Sequence, residues 1–268
     1  MPLELVRAQS AAAAAALLAS DKGARFLAGG TLVMRAANYD DGSITRLIFT
    51  DGLDRIDRRG NRVEIGAAVT MAAVSAHPDL HFLAPVARSI GGPAVRNMAT
   101  VGGNLFAPAP YGDFAVALLA LGASVAVATA AGVSIVDMEA FLAERGRGGR
   151  IVQSVAFDLP SDGAFRFTKV ERRRPHGAAV LTIAALLPVA AGRLAGPRIA
   201  YGAMALTPIR ARAVEAALEG KSLECRAIDA AIAAATEGCA PASDAFASDW
   251  YRLNVLPVHL KRILSGRS

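Results

Sequence analysis

Residues 98–113, MATVGGNLFAPAPYGD, form the stretch that decides the fold. A glycine pair stands between a valine and an asparagine, small residues and prolines follow, and an aspartate precedes the apolar run 114–121. That run has helical character, and glycines leave the main-chain amides before it uncovered. The sequence therefore predicts a loop whose backbone lies against a ligand, followed by a buried helix.

An earlier glycine pair in the chain, Gly29 and Gly30, follows the short apolar segment 25–28 and precedes a predicted helix at 31–37, with Thr31 as its cap. Consecutive amides at such a turn form an anion site that suits a pyrophosphate. The same three residues are also common in ordinary turns. No G-x-G-x-x-G fingerprint occurs here, so a Rossmann dinucleotide site is not expected.

Polar side chains accompany both glycine segments. Thr100 and Asn104 flank the second glycine pair and can donate or accept hydrogen bonds, and Asp113 offers a carboxylate to a sugar or an adenine edge. Lys169, followed by arginines, could hold a phosphate or a carbonyl, or raise the electron affinity of a flavin. The alternatives without a ligand are that Asp113 begins a helix and that Lys169 lies at a solvated end of a strand. Two glycine segments about 70 residues apart, one with an aspartate behind it, are more specific than either alone.

Composition limits the classes of function. The 268 residues suit two domains, 53% are hydrophobic, and the 19% of charged residues is low enough for partner subunits to cover part of the surface. The net charge is +6, but no dense basic tract with interleaved aromatic residues occurs, so nucleic-acid binding is not expected.

Catalytic and metal-binding motifs are missing from the sequence. Four histidines are scattered, and neither G-x-S-x-G nor H-E-x-x-H occurs, so we predict no catalytic residue and no metal ligand. Cys225 and Cys239 are too few to hold an iron–sulfur cluster and are expected to be buried thiols. Such a chain is consistent with redox work, in which a cofactor carries the chemistry.

The apolar run 11–19 has the length of a signal-peptide core, but Glu4 precedes it and Ser10 stands at a helix N-cap position. We interpret it as a short amphipathic helix. No stretch approaches the roughly 20 apolar residues that span a bilayer, so no membrane insertion and a cytoplasmic location are expected.

The pattern along the chain predicts an α+β fold in two parts. A hairpin is expected over 124–136 and a turn-rich domain boundary at 161–163. Beyond it, a small antiparallel sheet precedes helices, the last of which, at 251–263, should be interrupted at Pro257.

The motifs, taken in order, resemble the FAD-binding medium subunit of the molybdenum hydroxylases, the family of the xanthine dehydrogenase and carbon monoxide dehydrogenase medium subunits. The resemblance covers nearly the whole chain, and the TVGGN element with its spaced aspartate is its most specific part. The matching elements are AGGT at 28–31, IGA at 65–67 with Thr70, VRN at 95–97, TVGGN at 100–104, F-x-K at 167–169 and A-S-x-x-Y-R at 247–252.

The resemblance implies a two-lobed PCMH-type FAD-binding domain at 1–162, with lobes at about 1–57 and 58–162, and a C-terminal α+β domain at 163–268. FAD would lie extended between the lobes, with Ile90 and Lys169 near its flavin end. The implied cofactor-binding residues are Leu27, Ala28, Gly29, Gly30, Thr31, Leu32, Val33, Ile90, Thr100, Val101, Gly102, Gly103, Asn104, Asp113 and Lys169.

The resemblance also implies a role. This chain's FAD would pass electrons from 2Fe-2S centres in a small subunit to an external acceptor, after a molybdopterin large subunit has oxidised the substrate, in a dimer of heterotrimers. A stand-alone flavin oxidoreductase and a scaffold that no longer binds FAD are the alternatives. Leu32, where the family usually has an aspartate, is the best support for the scaffold.

Overall fold

The computed structural model describes residues 3–39, 42–173, 175 and 177–266. It divides into two compact units. The first unit comprises Met1–Ala107 and Ala123–Phe157, and the second comprises Pro108–Gly122 and Asp158–Ser268. The segment that follows the second glycine pair therefore groups with the C-terminal part of the chain. The predicted family domains at 1–162 and 163–268 stay a prediction.

The described residues contain both helices and strands. The helices are α1 (Ala11–Ser20), α2 (Val33–Asn38), α3 (Met71–Ala76), α4 (Ala84–Arg88), α5 (Pro93–Arg96), α6 (Val101–Leu105), α7 (Asp113–Leu121), α8 (Met138–Glu144), α9 (Arg212–Leu218), α10 (Cys225–Ala233) and α11 (Asp249–Leu264), with a 3₁₀ helix at Pro78–Leu83. The strands are β1 (Glu4–Arg7), β2 (Ala24–Phe26), β3 (Arg46–Phe49), β4 (Ile56–Arg59), β5 (Arg62–Gly66), β6 (Ser124–Thr129), β7 (Gly132–Asp137), β8 (Ile151–Asp158), β9 (Phe165–Glu171), β10 (Ala179–Leu186), β11 (Val189–Ala190), β12 (Arg193–Leu194), β13 (Arg198–Gly202) and β14 (Ile209–Arg210).

The first unit contains two sheets. A three-stranded sheet has the order β1-β3-β2, with both neighbours parallel to β3, and a five-stranded sheet has the order β4-β5-β8-β6-β7. The predicted hairpin over 124–136 is present as the antiparallel pair β6–β7. The predicted N-terminal helix is α1, and Ser10 caps it by accepting a hydrogen bond from the Ala13 amide. Its buried alanines pack with β2, β3 and the start of β8, because small side chains let a helix approach closely.

The second unit is built on an antiparallel sheet of order β14-β13-β10-β9. Helix α7, every residue of which is buried, packs against β10 and β13 of this sheet. Helix α11 packs against β10 and β9. An apolar helix of this kind must be enclosed, which explains why the chain leaves the first unit at residue 108 and returns at residue 123.

The buried Arg252 side chain of α11 ties this helix to the sheet. Its guanidinium donates to the carbonyl oxygens of Ala179 and Val180 and to the Asp244 carboxylate. Desolvation would raise the pKa of Asp244, but hydrogen bonds from two backbone amides and the charge of Arg252 lower it overall. This network gives a structural reason for the Y-R end of the last sequence motif.

Two predictions about local structure were wrong. Thr31 does not cap α2, whose N-cap is Leu32, without a side-chain hydrogen bond. Pro257 does not interrupt α11, since the packing of buried Leu256 and Leu260 compensates for the hydrogen bond that proline cannot donate.

Cys239 is a free, half-buried thiol, and burial raises its pKa to about 11. The side chain of Cys225 lies outside the described part of the chain. Among the described residues, no helix has both the length and the apolarity that a membrane crossing needs.

We predict that Leu260→Ala lowers the free energy of unfolding by about 2–5 kcal/mol. Leu260 is fully buried in the core of the second unit, so truncation leaves a cavity. Val258, in the same helix and 49% exposed, provides the control, because Val258→Ala should change stability by no more than about 0.5 kcal/mol. Denaturant unfolding checks both variants, and equal losses would contradict the assigned core.

Candidate functional site

The first glycine segment, residues 27–33, connects β2 to α2. The Leu27 amide donates to the Ile48 carbonyl oxygen at 2.7 Å, which completes the sheet, and Gly30 then adopts a left-handed conformation with φ of 72°. Within the described part of the chain, the backbone amides of residues 28–33 donate to no protein acceptor. These six consecutive amides are therefore not used by the described protein groups, and the anion site predicted at Gly29–Thr31 stays a prediction.

The second glycine segment, residues 100–104, does not have the uncovered main-chain amides that the sequence predicted. Residues 101–105 form the short helix α6, and the Thr100 hydroxyl caps it by accepting from the Gly103 amide at 3.1 Å. The amides of Val101 and Gly102 donate to the carbonyl oxygens of Val69 and Ala67 at 2.9 and 2.8 Å. The expectation of uncovered amides was wrong for these three residues, because the main chain of residues 67–69 and the Thr100 side chain use them.

Glycine is required in both segments for close approach between main chains. A Cβ on Gly29 would overlap the carbonyl oxygen of Met98, and a Cβ on Gly102 would lie 2.7 Å from the Cβ of Ala67. The first contact joins the two glycine segments directly, since Met98 and Ala99 immediately precede Thr100. The two segments that the sequence singled out therefore lie side by side in the first unit.

Both segments line one cavity of about 340 Å³ in the first unit. Leu27 and Ala28 come from the first segment, and Gly102 and Gly103 come from the second. Helix α1, the residues after β3, the loop after β5 and the start of β8 supply much of the remaining wall. The other lining residues are Leu18, Ala24, Arg25, Phe26, Thr50, Leu53, Ala67, Ala68, Phe106, Arg147, Gly148, Gly149, Arg150, Ile151 and Val152.

Sequence reasoning missed most of that wall. Ala67 belongs to the IGA motif, whose role only the fold reveals. Phe106 packs edge-to-face on Phe141 of α8, with ring centroids 5.6 Å apart. The sequence could have indicated one further part of the wall. Residues 145–150, RGRGGR, combine arginines with glycines, a composition that suits an anion-binding turn.

Asp113 and Lys169 lie in the second unit, where they form a buried cluster. The Lys169 ammonium lies 2.9 Å from Asp113 Oδ2 and 3.2 Å from Glu171 Oε1, and the Thr182 hydroxyl donates to Asp113 Oδ1 at 2.5 Å. Sequence reasoning missed Glu171 and Thr182. The Asp113 carboxylate has protein partners for both oxygens, so its expected contact with a sugar or adenine stays a prediction, as does that of Lys169 with a flavin.

Ile90 lies just beyond α4, where its amide donates to the Ala87 carbonyl oxygen at 3.2 Å. Like Asp113 and Lys169, it is not among the residues that line the cavity. Thr31, Leu32 and Val33 continue from the first glycine segment into α2, and Asn104 lies within α6 beside Gly103. Of the predicted site residues, Leu27, Ala28, Gly102 and Gly103 line the cavity, and Gly29 lies against Met98, just before Thr100. The other members of the two segments are not among the lining residues: Gly29, Gly30, Thr31, Leu32, Val33, Thr100, Val101 and Asn104.

The residues of the cavity fit the nucleotide part of FAD. Its volume lies within the range of about 300–1,000 Å³ that is usual for small-molecule sites. Leu27, Phe106 and Ile151 provide apolar surface for a base, and the amide of Ala28, which has no acceptor among the described residues, can donate to a phosphate oxygen.

We predict that Gly29→Ala destabilises the chain by at least about 2 kcal/mol, because the added methyl group cannot coexist with the Met98 carbonyl. Gly146→Ala is the matched control: a methyl group at Gly146 would meet open space, and its φ is not positive, so stability should be unchanged. Denaturant unfolding of both variants is the measurement, and a neutral Gly29→Ala would refute the close contact.

We predict that Asp113→Ala lowers stability by about 3 kcal/mol, because it leaves a buried ammonium with one carboxylate instead of two. Asp51→Ala, which removes an exposed ion pair with Arg7, should have little effect. Thermal or denaturant unfolding compares them. FAD titration of the same samples tests the cofactor contact: affinity equal to the parent's would show that the predicted contact of Asp113 is wrong.

Two protein-family matches together cover almost the whole chain. Residues 1–160 match the family described as the FAD binding domain in molybdopterin dehydrogenase, and residues 166–266 match the CO dehydrogenase flavoprotein C-terminal domain.

Individual proteins agree with these matches. The chain is 28% identical over 276 residues to the putative xanthine dehydrogenase FAD-binding subunit XdhB of Escherichia coli K12, covering 97% of this chain and 94% of that protein. It is 28% identical to the carbon monoxide dehydrogenase medium chain of Afipia carboxidovorans, covering 96% and 93%.

A solved structure shows the same fold. A chain of the carbon monoxide dehydrogenase from Hydrogenophaga pseudoflava superimposes with a TM-score of 0.90 at 26% identity, over 99% of this chain and 96% of that one. The α+β architecture expected from the resemblance is confirmed. The chain is thus an oxidoreductase component, and it belongs to the family of FAD-binding medium subunits of the molybdenum hydroxylases.

Proposed function

We propose that this chain binds FAD and uses it to pass electrons from 2Fe-2S centres in a partner subunit to an external acceptor. The observation that carries the proposal is the cavity of the first unit, where the two glycine segments of the family motif meet. The membership of the chain in a family of FAD-binding subunits supports it.

The residues that would hold FAD fall into two groups. Residues 28–33 would contribute main-chain amides to the phosphates, and Leu27 would contribute apolar wall. Residues 100–104 would contribute the wall formed by Gly102 and Gly103. Ile90, Asp113 and Lys169 are assigned to the cofactor by resemblance alone. Since Thr100 caps α6 in the structure, we assign it the task of holding that wall in place.

Bound FAD would supply the redox chemistry, because it can accept and release electrons. The chain's own residues would bind and orient the cofactor and exclude water from the cavity. No side chain of this chain is required as a general acid or base in such a role.

The proposed assembly contains a 2Fe-2S small subunit and a molybdopterin large subunit, arranged as a dimer of heterotrimers in the cytoplasm. Names of relatives support the subunit role, since one is a medium chain and another an FAD-binding subunit. The substrate would be chosen by the large subunit, so this chain's residues do not specify it.

The exposed Leu32 is the observation that favours a second candidate, a scaffold subunit without cofactor. It is 42% exposed beside the uncovered amides, where a family aspartate would add a polar group. The phosphate contacts that we propose come from the main chain, and leucine leaves those amides available.

We predict that the purified chain takes up FAD and shows a flavin absorption spectrum. A colourless protein that takes up no added FAD would contradict the proposal and favour the scaffold.

The electron-transfer part has its own test. Co-expression with the partner iron–sulfur and molybdopterin subunits should yield a complex whose FAD is bleached by the oxidisable substrate, whereas the FAD of this chain alone should not be. A chain whose FAD is reduced by substrate without partners would instead be a stand-alone oxidoreductase.

A further inference from the structure

We infer that residues 145–150, the arginine–glycine segment, form a phosphate-binding wall of the cavity that holds the diphosphate of the adenine dinucleotide through Arg147 and Arg150. The inference rests on the proposed function and extends it to residues that no family motif of the sequence includes. The segment joins α8 to β8, and four of its six residues line the cavity.

The segment is anchored at its first residue. The Arg145 guanidinium donates to the Ala107 carbonyl oxygen at 3.0 Å, and Gly149 adopts a left-handed conformation with φ of 69° against α1. These contacts hold the turn on the cavity wall. Among the described residues, the amides of Gly148 and Gly149 donate to no protein acceptor. Free amides next to guanidinium groups are what an anion-binding turn requires.

The charges around the cavity favour an anion. Arg25, Arg147 and Arg150 line it, whereas none of the described residues lining it is an aspartate or glutamate. Glu144 lies next to the segment and pairs with Arg150 at 2.8 Å and with Arg147 at 3.2 Å. One carboxylate shared by two arginines leaves an excess of positive charge at this wall, which a diphosphate would neutralise.

The two arginines differ in how strongly they are held. Arg150 is 19% exposed and hydrogen-bonded to Glu144, so it is pre-oriented, whereas Arg147 is 68% exposed and has room to reorient toward a ligand. The hydrogen bond from Arg150 and the charge of Arg147 lower the pKa of Glu144, which keeps that carboxylate ionised and in competition with any phosphate.

The apolar part of the wall argues for a nucleotide over free phosphate. Leu27, Phe106 and Ile151 line the same cavity, and an adenine ring would remove that surface from water. ADP should therefore bind more tightly than inorganic phosphate. Riboflavin carries no phosphate, so substitution of the arginines should not change its affinity.

The test is calorimetric titration of the FAD-free full chain with FAD, ADP, inorganic phosphate and riboflavin, for the parent and four variants. We expect Arg147→Gln to weaken ADP and FAD binding about threefold and the double variant Arg147→Gln/Arg150→Gln about tenfold, with a shallower salt dependence than the parent. Glu144→Gln, which removes the competing carboxylate, should tighten both about threefold.

Arg58→Gln is the matched control. Arg58 is 48% exposed, between the values for Arg150 and Arg147, and has a carboxylate partner, Asp79, but it is not among the residues that line the cavity. This control variant should leave all affinities unchanged, and circular dichroism confirms that each variant is folded. If the parent binds FAD but the double variant and Glu144→Gln bind FAD and ADP as the parent does, the inference is overturned and the proposed function stands. A parent that binds no FAD overturns both.

Discussion

The first unit depends on two places where main chains touch without a side chain between them. Gly29 lies against the carbonyl of Met98, and Gly102 lies against Ala67. These contacts bring the end of β2, the loop after β5 and the start of α6 to one cavity. A methyl group at either glycine would push the segments apart, so the shape of the cavity follows from the absence of two Cβ atoms.

The two glycine segments differ in whether protein groups accept hydrogen bonds from their main-chain amides. The amides of Val101, Gly102 and Gly103 stabilise the fold, because protein oxygens already accept from them. The amides of residues 28–33 have no such partners among the described residues and are the ones a phosphate can use. Of two similar glycine pairs, one therefore has a structural role, and the other is the one whose amides we propose for the ligand.

Local sequence patterns predicted the elements whose formation depends on near neighbours. The Ser10 cap of α1, the β6–β7 hairpin and the apolar α7 follow from capping, alternation and periodicity. The predictions failed where contacts with residues distant in the sequence determine the local structure. Thr100 caps a helix that forms because residues 67–69 pair with it, and α11 passes through Pro257 because its apolar face is packed.

The sequence by itself determined the family, the α+β class and the two glycine segments, because these depend on the order and spacing of residues. Only the tertiary structure decided that α7 packs with the second unit, that Glu171 and Thr182 share the Asp113–Lys169 pair, and that the arginine–glycine segment lines the cavity. Those facts join residues that lie far apart in the chain, and the pairing of such distant residues is set by packing and burial rather than by any local pattern.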